Sequence, residues 1–205
     1  MTIKGIIFDV GNVIQPVDWN TAADILNVSP EKYKEAFMKD REDHFNLYEK
    51  GEIHSLPYAA FVLGNLGINA SKENIETFSE SSKYLWGAPN LELVKHIKSL
   101  NPELRKAILT NSYPELEDRA KSFNGTELGY LNLFQNQVYW SHHIEAKKPE
   151  RKAYETATKG LGLVNEECLF IDDKEENVLA ARKFGLEAIQ YLNSKDLEEK
   201  LTLFF

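Results

Sequence analysis

The feature that most constrains the fold of this chain is a set of short apolar runs that alternate with segments of helical periodicity. The first run, residues 3–13, is almost continuously apolar, which is typical of a strand buried on both faces. Further runs follow at residues 106–110, 134–141, 167–172 and 187–191. Alternation of short strands with helices predicts an α/β protein with a Rossmann-like parallel sheet sandwiched by helices.

The segment between the first two runs has a helical pattern instead. Apolar residues recur there at helical spacing. Ser29 followed by Pro30 has the N-cap and first-position proline of a helix start, and Ser71 is a second candidate N-cap. We therefore expect a small inserted helical cap over residues 16–87, and an α/β core formed by residues 1–15 and 88–205.

Charge composition excludes some classes of partner. The 205 residues include 24 Lys and Arg against 32 Asp and Glu, which gives a formal net charge of −8. A general nucleic-acid-binding protein needs a basic face, and a peripheral membrane protein needs a polybasic patch. We expect neither partner, and we predict a cytoplasmic monomer or homodimer whose one cysteine, Cys168, is buried and inert.

Polar side chains stand where the predicted strands end. Asp9 closes the first run, Thr110 and Asn111 close the second, and Asp172 and Asp173 close a third. Ligands of open parallel sheets bind beyond the carboxyl ends of the strands, so these side chains are expected to meet at one edge.

Such a set of residues suits phosphate chemistry. Crowded carboxylates repel one another unless a cation or a proton intervenes, and Mg²⁺ prefers oxygen ligands. Lys148, which precedes Pro149, and the Thr110 hydroxyl would hold phosphate oxygens. The pattern indicates Mg²⁺-assisted phosphoryl transfer on a small phosphorylated molecule.

In their order along the chain these motifs resemble those of the haloacid dehalogenase-like (HAD) hydrolases. The motifs are FDVGNV at 8–13, LTN at 109–111, KP at 148–149 and IDD at 171–173. The Gly-Asn pair after the first Asp is similar to the branch with a helical cap that includes bacterial glucose-1-phosphate phosphatase and the amino-terminal domain of soluble epoxide hydrolase. The resemblance implies a phosphatase, with Mg²⁺ as cofactor and a sugar phosphate as the expected substrate.

The resemblance also implies a role for each position. Asp9 would be the nucleophile that forms a phosphoaspartyl intermediate, and Lys148 would neutralise it. Thr110 and the backbone of Asn111 would bind the transferring phosphoryl group. The metal ligands it implies are the Asp9 carboxylate, the Gly11 carbonyl and Asp173, with Asp172 and Asn177 in support.

One position departs from the family pattern. Most phosphatases of the family place a second Asp two residues after the nucleophile, where it protonates the leaving group, and this chain has Gly11 there. A general acid contributes roughly 10²–10⁴ in rate. Either the enzyme favours substrates with good leaving groups, or another residue substitutes, for which Asp18 is the best local candidate.

Two other functions stay open on the sequence. The first is a metal-independent 2-haloacid dehalogenase, which the Asp172-Asp173 pair disfavours. The second is a HAD-fold protein that binds a phosphorylated ligand but turns it over poorly. The pair His142-His143 suggests a metal site, but in an extended segment adjacent side chains point to opposite faces, so we expect a solvated or hydrogen-bonded pair.

Overall fold

The computed structural model describes residues 2–40 and 43–204. Within them, five parallel strands form one sheet in the order β3-β2-β1-β4-β5. The strands are β1 (Gly5–Phe8), β2 (Arg105–Thr110), β3 (Val138–Trp140), β4 (Cys168–Asp172) and β5 (Glu187–Gln190). The predicted Rossmann-like α/β class is confirmed.

The central strands are buried on both faces, which explains their continuous apolar sequence. All of β1 and β4 is buried. Ile6 and Phe8 pack into the apolar cluster on one side of the sheet, whereas Ile7 packs into the cluster on the other side. Cys168 lies in this second cluster and is fully buried, as expected.

Helices cover the sheet. Six lie between β1 and β2: α1 (Trp19–Ile25), α2 (Pro30–Met38), α3 (Phe45–Glu49), α4 (Ser55–Leu66), α5 (Lys72–Lys83) and α6 (Leu91–Ser99). The others are α7 (Pro114–Lys121), α8 (Ser141–Ile144), α9 (Arg151–Leu161), α10 (Glu175–Phe184) and α11 (Ser194–Leu201). Helix α1 contacts α2 and α5, helix α4 contacts the same two helices, and α5 also contacts α7.

The predicted helix starts are confirmed. Ser29 accepts a hydrogen bond from the Lys32 amide and precedes Pro30 at the first position of α2. Ser71 accepts from the Asn74 amide at the start of α5. Both hydroxyls satisfy an amide that has no partner within its helix.

The first apolar run was predicted as one strand, but β1 ends at Phe8. The carbonyl of Val10 accepts hydrogen bonds from the amides of Val13, Ile14 and Gln15, and Asn12 has a φ of 57°. The run therefore turns directly after the strand. Its apolar side chains remain buried in the turn, which is why periodicity could not separate them from the strand.

The run at residues 134–141 is also shorter than predicted. A 3₁₀ helix (Leu131–Phe134) precedes β3, and α8 begins immediately after it. Gln135 and Asn136 have φ values of 48° and 68°, so the chain reverses between the two elements. His142 and His143 consequently lie on a helix, and the expectation that they occupy an extended segment was wrong.

Among the described helices, none combines the length and the apolar character needed to cross a membrane.

Candidate active site

A cavity of about 300 Å³ opens at the edge of the sheet where the strands end. Asp9, Thr110 and Lys148 lie in its wall beside Gly11 and Asp173. These predicted site residues therefore meet at one place, as the parallel topology requires. Asp172 lies behind this wall, and Asp18 lies beside it.

Lys148 holds the centre of the site. Its ammonium nitrogen lies 2.7 Å from Asp9 Oδ1 and 2.6 Å from Asp172 Oδ2, and its side chain is 1% exposed. Burial by itself would lower the pKa of Lys148, but Asp172 and Asp9 raise that pKa above its ordinary value. Lys148 is thus a fixed cation between two carboxylates.

Asp9 follows β1, and its amide donates a hydrogen bond to the carbonyl of Ile171 in β4. Burial raises the pKa of Asp9 to about 6, opposed by Lys148 and reinforced by the charges of Asp172 and Asp173. A carboxylate that lies among other carboxylates and faces a cavity is suited to nucleophilic or metal-binding chemistry.

Asp172 and Asp173 differ in their partners. Both oxygens of Asp172 accept hydrogen bonds from the Asn177 side chain, and one also accepts from the Lys174 amide. Asp173 accepts from the Asn12 side chain at Oδ2, while its buried Oδ1 has no partner. Asp172 is therefore engaged by protein groups, and Asp173 keeps an oxygen available for a ligand.

The residues present fit a divalent cation. One carboxylate oxygen from each of Asp9, Asp172 and Asp173 lies within 4.8 Å of the other two. Three carboxylates and the single Lys148 ammonium leave an excess of negative charge, and Asp173 Oδ1 is a buried acceptor with no donor. An all-oxygen donor set of this charge suits Mg²⁺.

Thr110 and Asn111 stand at the end of β2. Thr110 is buried in the cavity wall. The Asn111 side chain donates to the carbonyl of Lys148 at 2.9 Å and accepts from its amide at 2.8 Å. Sequence reasoning considered only the backbone of Asn111, and its amide group proves to hold the peptide of Lys148 in place.

Asp18 does not have the surroundings expected of a general acid. Its carboxylate caps α1, accepting from the amides of Asn20 and Thr21 and from the Thr21 hydroxyl. The hydrogen bonds from Thr21 are the main reason that its pKa is lowered. Its neighbours Val17 and Trp19 line the cavity, whereas Asp18 is engaged as an ionised N-cap.

The helical insert supplies much of the remaining wall. Its lining side chains are largely apolar, with one cation and one anion: Trp19, Lys34, Phe37, Met38, Phe45, Glu49, Leu85 and Trp86. Tyr48 and Glu52 of the insert lie outside this lining: Tyr48 is buried against Glu115, and Glu52 pairs with Lys50 at the surface.

Glu49 belongs to a buried ion pair. Its carboxylate contacts the ammonium of Lys147, which also donates to Asn46 Oδ1 at 2.7 Å. Both side chains of the pair are less than a tenth exposed. Sequence reasoning missed this pair because the partners lie 98 positions apart in the chain.

Comparison with known proteins agrees with this geometry. A family model for haloacid dehalogenase-like hydrolases matches residues 3–185. The chain is 24% identical to a D-ribitol-5-phosphate phosphatase from Bacteroides thetaiotaomicron over 216 residues, which cover 98% of each protein. It is 28% identical to an (S)-2-haloacid dehalogenase from Pseudomonas over 126 residues, which cover 61% of this chain and 51% of that protein.

A solved structure shares the fold. It is a HAD-family enzyme from Bacteroides thetaiotaomicron in complex with magnesium and inorganic phosphate, and it superposes with a TM-score of 0.74 at 18% identity. The match covers 97% of this chain and 98% of the other. The fold of the described residues is thus similar to that of this HAD-family enzyme.

Proposed function

Since the chain belongs to the haloacid dehalogenase-like hydrolase family, we propose that it is a Mg²⁺-dependent phosphatase that acts on a small phosphorylated metabolite. The expected substrate class is a sugar phosphate or the related phosphate of a sugar alcohol. The D-ribitol-5-phosphate phosphatase to which the chain is similar along nearly its full length supports this class.

The observation that carries the proposal is the arrangement around Lys148. One buried ammonium contacts Asp9 and Asp172, while Asp173 beside them keeps a buried oxygen without a donor. Phosphoryl transfer depends on positioning and on charge stabilisation, and this site supplies a nucleophilic carboxylate, a fixed cation and oxygen ligands for a metal.

The proposed reaction has two steps. An oxygen of Asp9 bonds to phosphorus as the bond from phosphorus to the leaving oxygen breaks, and the leaving oxygen takes up a proton from water. Water then attacks the phosphoaspartyl group, which releases inorganic phosphate and restores the carboxylate. Lys148 balances the charge of Asp9 throughout, and Thr110 is placed at the end of β2 to bind a phosphoryl oxygen.

Asp9, Asp173 and the carbonyl of Gly11 would hold Mg²⁺, with Asp172 and Asn177 in support. Bound there, the ion supplies charge neutralisation for the phosphate oxygens. The protein groups do the positioning: Asn177 orients Asp172, and Asp172 in turn orients Lys148.

We further propose that residues 16–87 act as a cap on the core of residues 1–15 and 88–205. The insert places the indole of Trp86 and the ring of Phe37 in the cavity wall, which would exclude water from the reacting phosphate. Lys34 and Glu49, also in the wall, supply polar groups for the hydroxyls of a sugar.

The similarity to an (S)-2-haloacid dehalogenase favours one alternative. Such an enzyme also uses an aspartate nucleophile, but displacement of halide requires no cation. The unpartnered oxygen of Asp173 beside two further carboxylates supports the phosphatase instead. Halide release from 2-haloacids in the presence of EDTA would support the dehalogenase.

The deciding experiment measures phosphate release from a panel of phosphorylated sugars, sugar alcohols and aryl phosphates, with Mg²⁺ and with EDTA. We expect Mg²⁺-dependent turnover in the wild type and a loss of about 10³-fold or more in Asp9→Asn, because the amide is a poor nucleophile. Asp24→Asn, on the exposed side of α1, is the matched control and should keep full activity.

No phosphate release from any compound, by a folded protein that binds Mg²⁺, would contradict the phosphatase. It would favour a protein that binds phosphorylated ligands, a function consistent with the missing acid at Gly11. Equal turnover in wild type and Asp9→Asn would show that another group is the nucleophile.

A further inference from the structure

A second group of metal-binding side chains lies outside the acidic site. We call Glu117 of α7 with His142 and His143 of α8 the histidine cluster. The Nε2 atoms of both imidazoles lie 3.0 Å from the same oxygen, Glu117 Oε2. One potential ligand atom from each residue lies within 4.8 Å of the other two. Three ligands, two imidazoles and one carboxylate, therefore converge on one point, and both ligand types suit borderline divalent metals.

The backbone around His142 is held on two sides. Ser141 Oγ donates to the carbonyl of Glu49 at 2.5 Å and also lies 3.0 Å from the carbonyl of Ser112. Gly51, with a φ of 72°, packs so closely that a Cβ there would lie 2.5 Å from the carbonyl oxygen of His142. The start of α8 is therefore fixed before any ligand binds, so ligand binding requires little further ordering of this backbone.

The surroundings of His142 Nδ1 determine which tautomer is favoured. The carbonyl oxygen and the hydroxyl oxygen of Ser112 both lie 3.2 Å from Nδ1. A carbonyl can only accept, so a proton on Nδ1 satisfies both oxygens, and a bare Nδ1 would face the carbonyl lone pairs. A proton on Nδ1 leaves a lone pair on Nε2, directed at the Glu117 carboxylate.

In this tautomer the Nε2 lone pair faces the Glu117 carboxylate, an arrangement that a cation between the two ligand atoms stabilises. His142 has a side chain 5% exposed. The same hydrogen bond from Nδ1 to a backbone carbonyl is the usual support of a metal-bound histidine.

The spacing of the ligand atoms matches a small tetrahedral site. With metal–ligand bonds of about 2.0–2.2 Å, neighbouring ligand atoms in a tetrahedron lie roughly 3.3–3.6 Å apart. The observed 3.0 Å separations from Glu117 Oε2 need to widen by only a few tenths of an ångström. His143 is 57% exposed, so its ring can make this movement, and solvent can supply a fourth ligand.

We propose that Glu117, His142 and His143 bind a divalent transition-metal ion of the Zn²⁺ type, at a site separate from the Asp9 carboxylates. Two imidazoles and one carboxylate favour Zn²⁺, Co²⁺ or Ni²⁺ over Mg²⁺, which prefers oxygen ligands alone. The bound ion joins α7 to α8, the helices that follow the ends of β2 and β3. Lys121, which contacts Glu117 at its other oxygen at 2.6 Å, keeps the carboxylate oriented.

The test titrates the full-length protein with Co²⁺ in the presence of excess Mg²⁺, which occupies the all-oxygen site. Four-coordinate Co²⁺ absorbs visible light far more strongly than six-coordinate Co²⁺, so the spectrum reports the coordination. We expect one tetrahedral Co²⁺ per chain in the wild type, displaced by Zn²⁺. His143→Gln, at a side chain that is 57% exposed, should lower the Co²⁺ affinity at least about tenfold.

Two further variants complete the test. His54→Gln removes an exposed histidine far from the cluster in the chain and should bind Co²⁺ as the wild type does. Glu117→Gln should lose binding as His143→Gln does. Absence of the tetrahedral spectrum in the wild type would overturn the proposal. Equal affinity in the wild type and His143→Gln, or equal losses in His143→Gln and His54→Gln, would overturn it as well.

Discussion

At the scale of single residues, the site depends on the ammonium group of Lys148, which is buried away from water. Burying an ammonium is costly unless partners compensate it, and Lys148 has both Asp9 and Asp172 in contact. Asp173 then adds a further negative charge close by. Burial raises the pKa of Asp9 to about 6, and the charges of Asp172 and Asp173 add to that effect against the opposing charge of Lys148. A divalent cation would offset the surplus of negative charge.

The position of Gly11 has space for a side chain. A Cβ there would lie 3.5 Å from Trp86 Nε1 and 3.8 Å from Val17 Cγ2, both ordinary contact distances. A side chain therefore fits. We expect Gly11→Asp to raise kcat on alkyl phosphates by about tenfold or more, because it supplies a proton to a poor leaving group. Aryl phosphates, which need no such proton, should change little.

The matched variant is Asp18→Asn. Since Asp18 is held as an ionised cap of α1, its turnover of both substrate types should stay within about threefold of the wild type, while the melting temperature falls as the cap weakens. Steady-state kinetics decide both points. A selective loss on alkyl phosphates in Asp18→Asn would identify it as the acid after all.

At the scale of elements, the site is assembled by contacts between segments that follow different strands. The loop after β2 carries Asn111, whose amide group makes two hydrogen bonds to the backbone of Lys148. Helix α3 of the insert contacts α7 through Tyr48, which donates to Glu115. These links determine where the chemical groups stand relative to one another.

Asn111→Ala removes both hydrogen bonds to the Lys148 peptide. The Lys148 amide and carbonyl then lose their partners, and the ammonium is less well placed, so we expect kcat to fall roughly 10–100-fold. Asn20→Ala, on the exposed side of α1, is a control for loss of an asparagine elsewhere. Unchanged kcat in Asn111→Ala would mean that Asp9 and Asp172 suffice to position Lys148.

Tyr48→Phe tests the link between the insert and α7. The Glu115 carboxylate is buried, and loss of the tyrosine hydroxyl leaves one of its oxygens without that donor. We expect the free energy of unfolding to fall by about 1–3 kcal/mol in urea titrations. Tyr139→Phe, which removes a part-buried hydroxyl bonded to Gln137, should cost less. Equal losses in the two variants would argue against a special contribution from Tyr48.

At the scale of the whole molecule, the insert and the sheet share one apolar core. Tyr33 and Tyr58 of the insert belong to the same cluster as Phe8 and Ile108 of the sheet. Complete separation of the insert would expose these side chains to water at a large cost in free energy. Movements that admit substrate are therefore expected to be local, around the wall formed by Trp19 and its neighbours.

The buried tyrosines make the fold sensitive to alkaline pH. Burial raises the pKa of each of six tyrosines: Tyr33, Tyr48, Tyr58, Tyr113, Tyr130 and Tyr154. A group whose pKa is higher in the folded than in the unfolded state stabilises the fold fully below the unfolded value and loses that contribution as pH rises above it. Stability should thus decline above about pH 10.

The measurement follows tyrosinate absorbance and circular dichroism together as pH rises. We expect most of the tyrosinate signal to appear with the loss of secondary structure, in one cooperative transition. Titration of all the tyrosines near pH 10 with circular dichroism unchanged would contradict the expected protection.

The sequence alone predicted the central strands of the sheet and the residues at their carboxyl ends. The continuous apolar runs identified β1 and β4, because a parallel strand buried on both faces can carry few polar side chains. Since the carboxyl ends of parallel strands share one edge, Asp9, Thr110 and Asp173 could be brought together without coordinates. Gly11, in the place of the usual acid, was visible in the sequence as well.

Contacts between distant segments could be seen only in the tertiary structure. Asn111 reaches Lys148 across 37 positions, and Glu117 reaches His142 across 25. Local periodicity reports which face of an element is buried, but it carries no information about which distant side chain lies opposite. The walls of the cavity and the histidine cluster therefore emerged only when the elements were packed together.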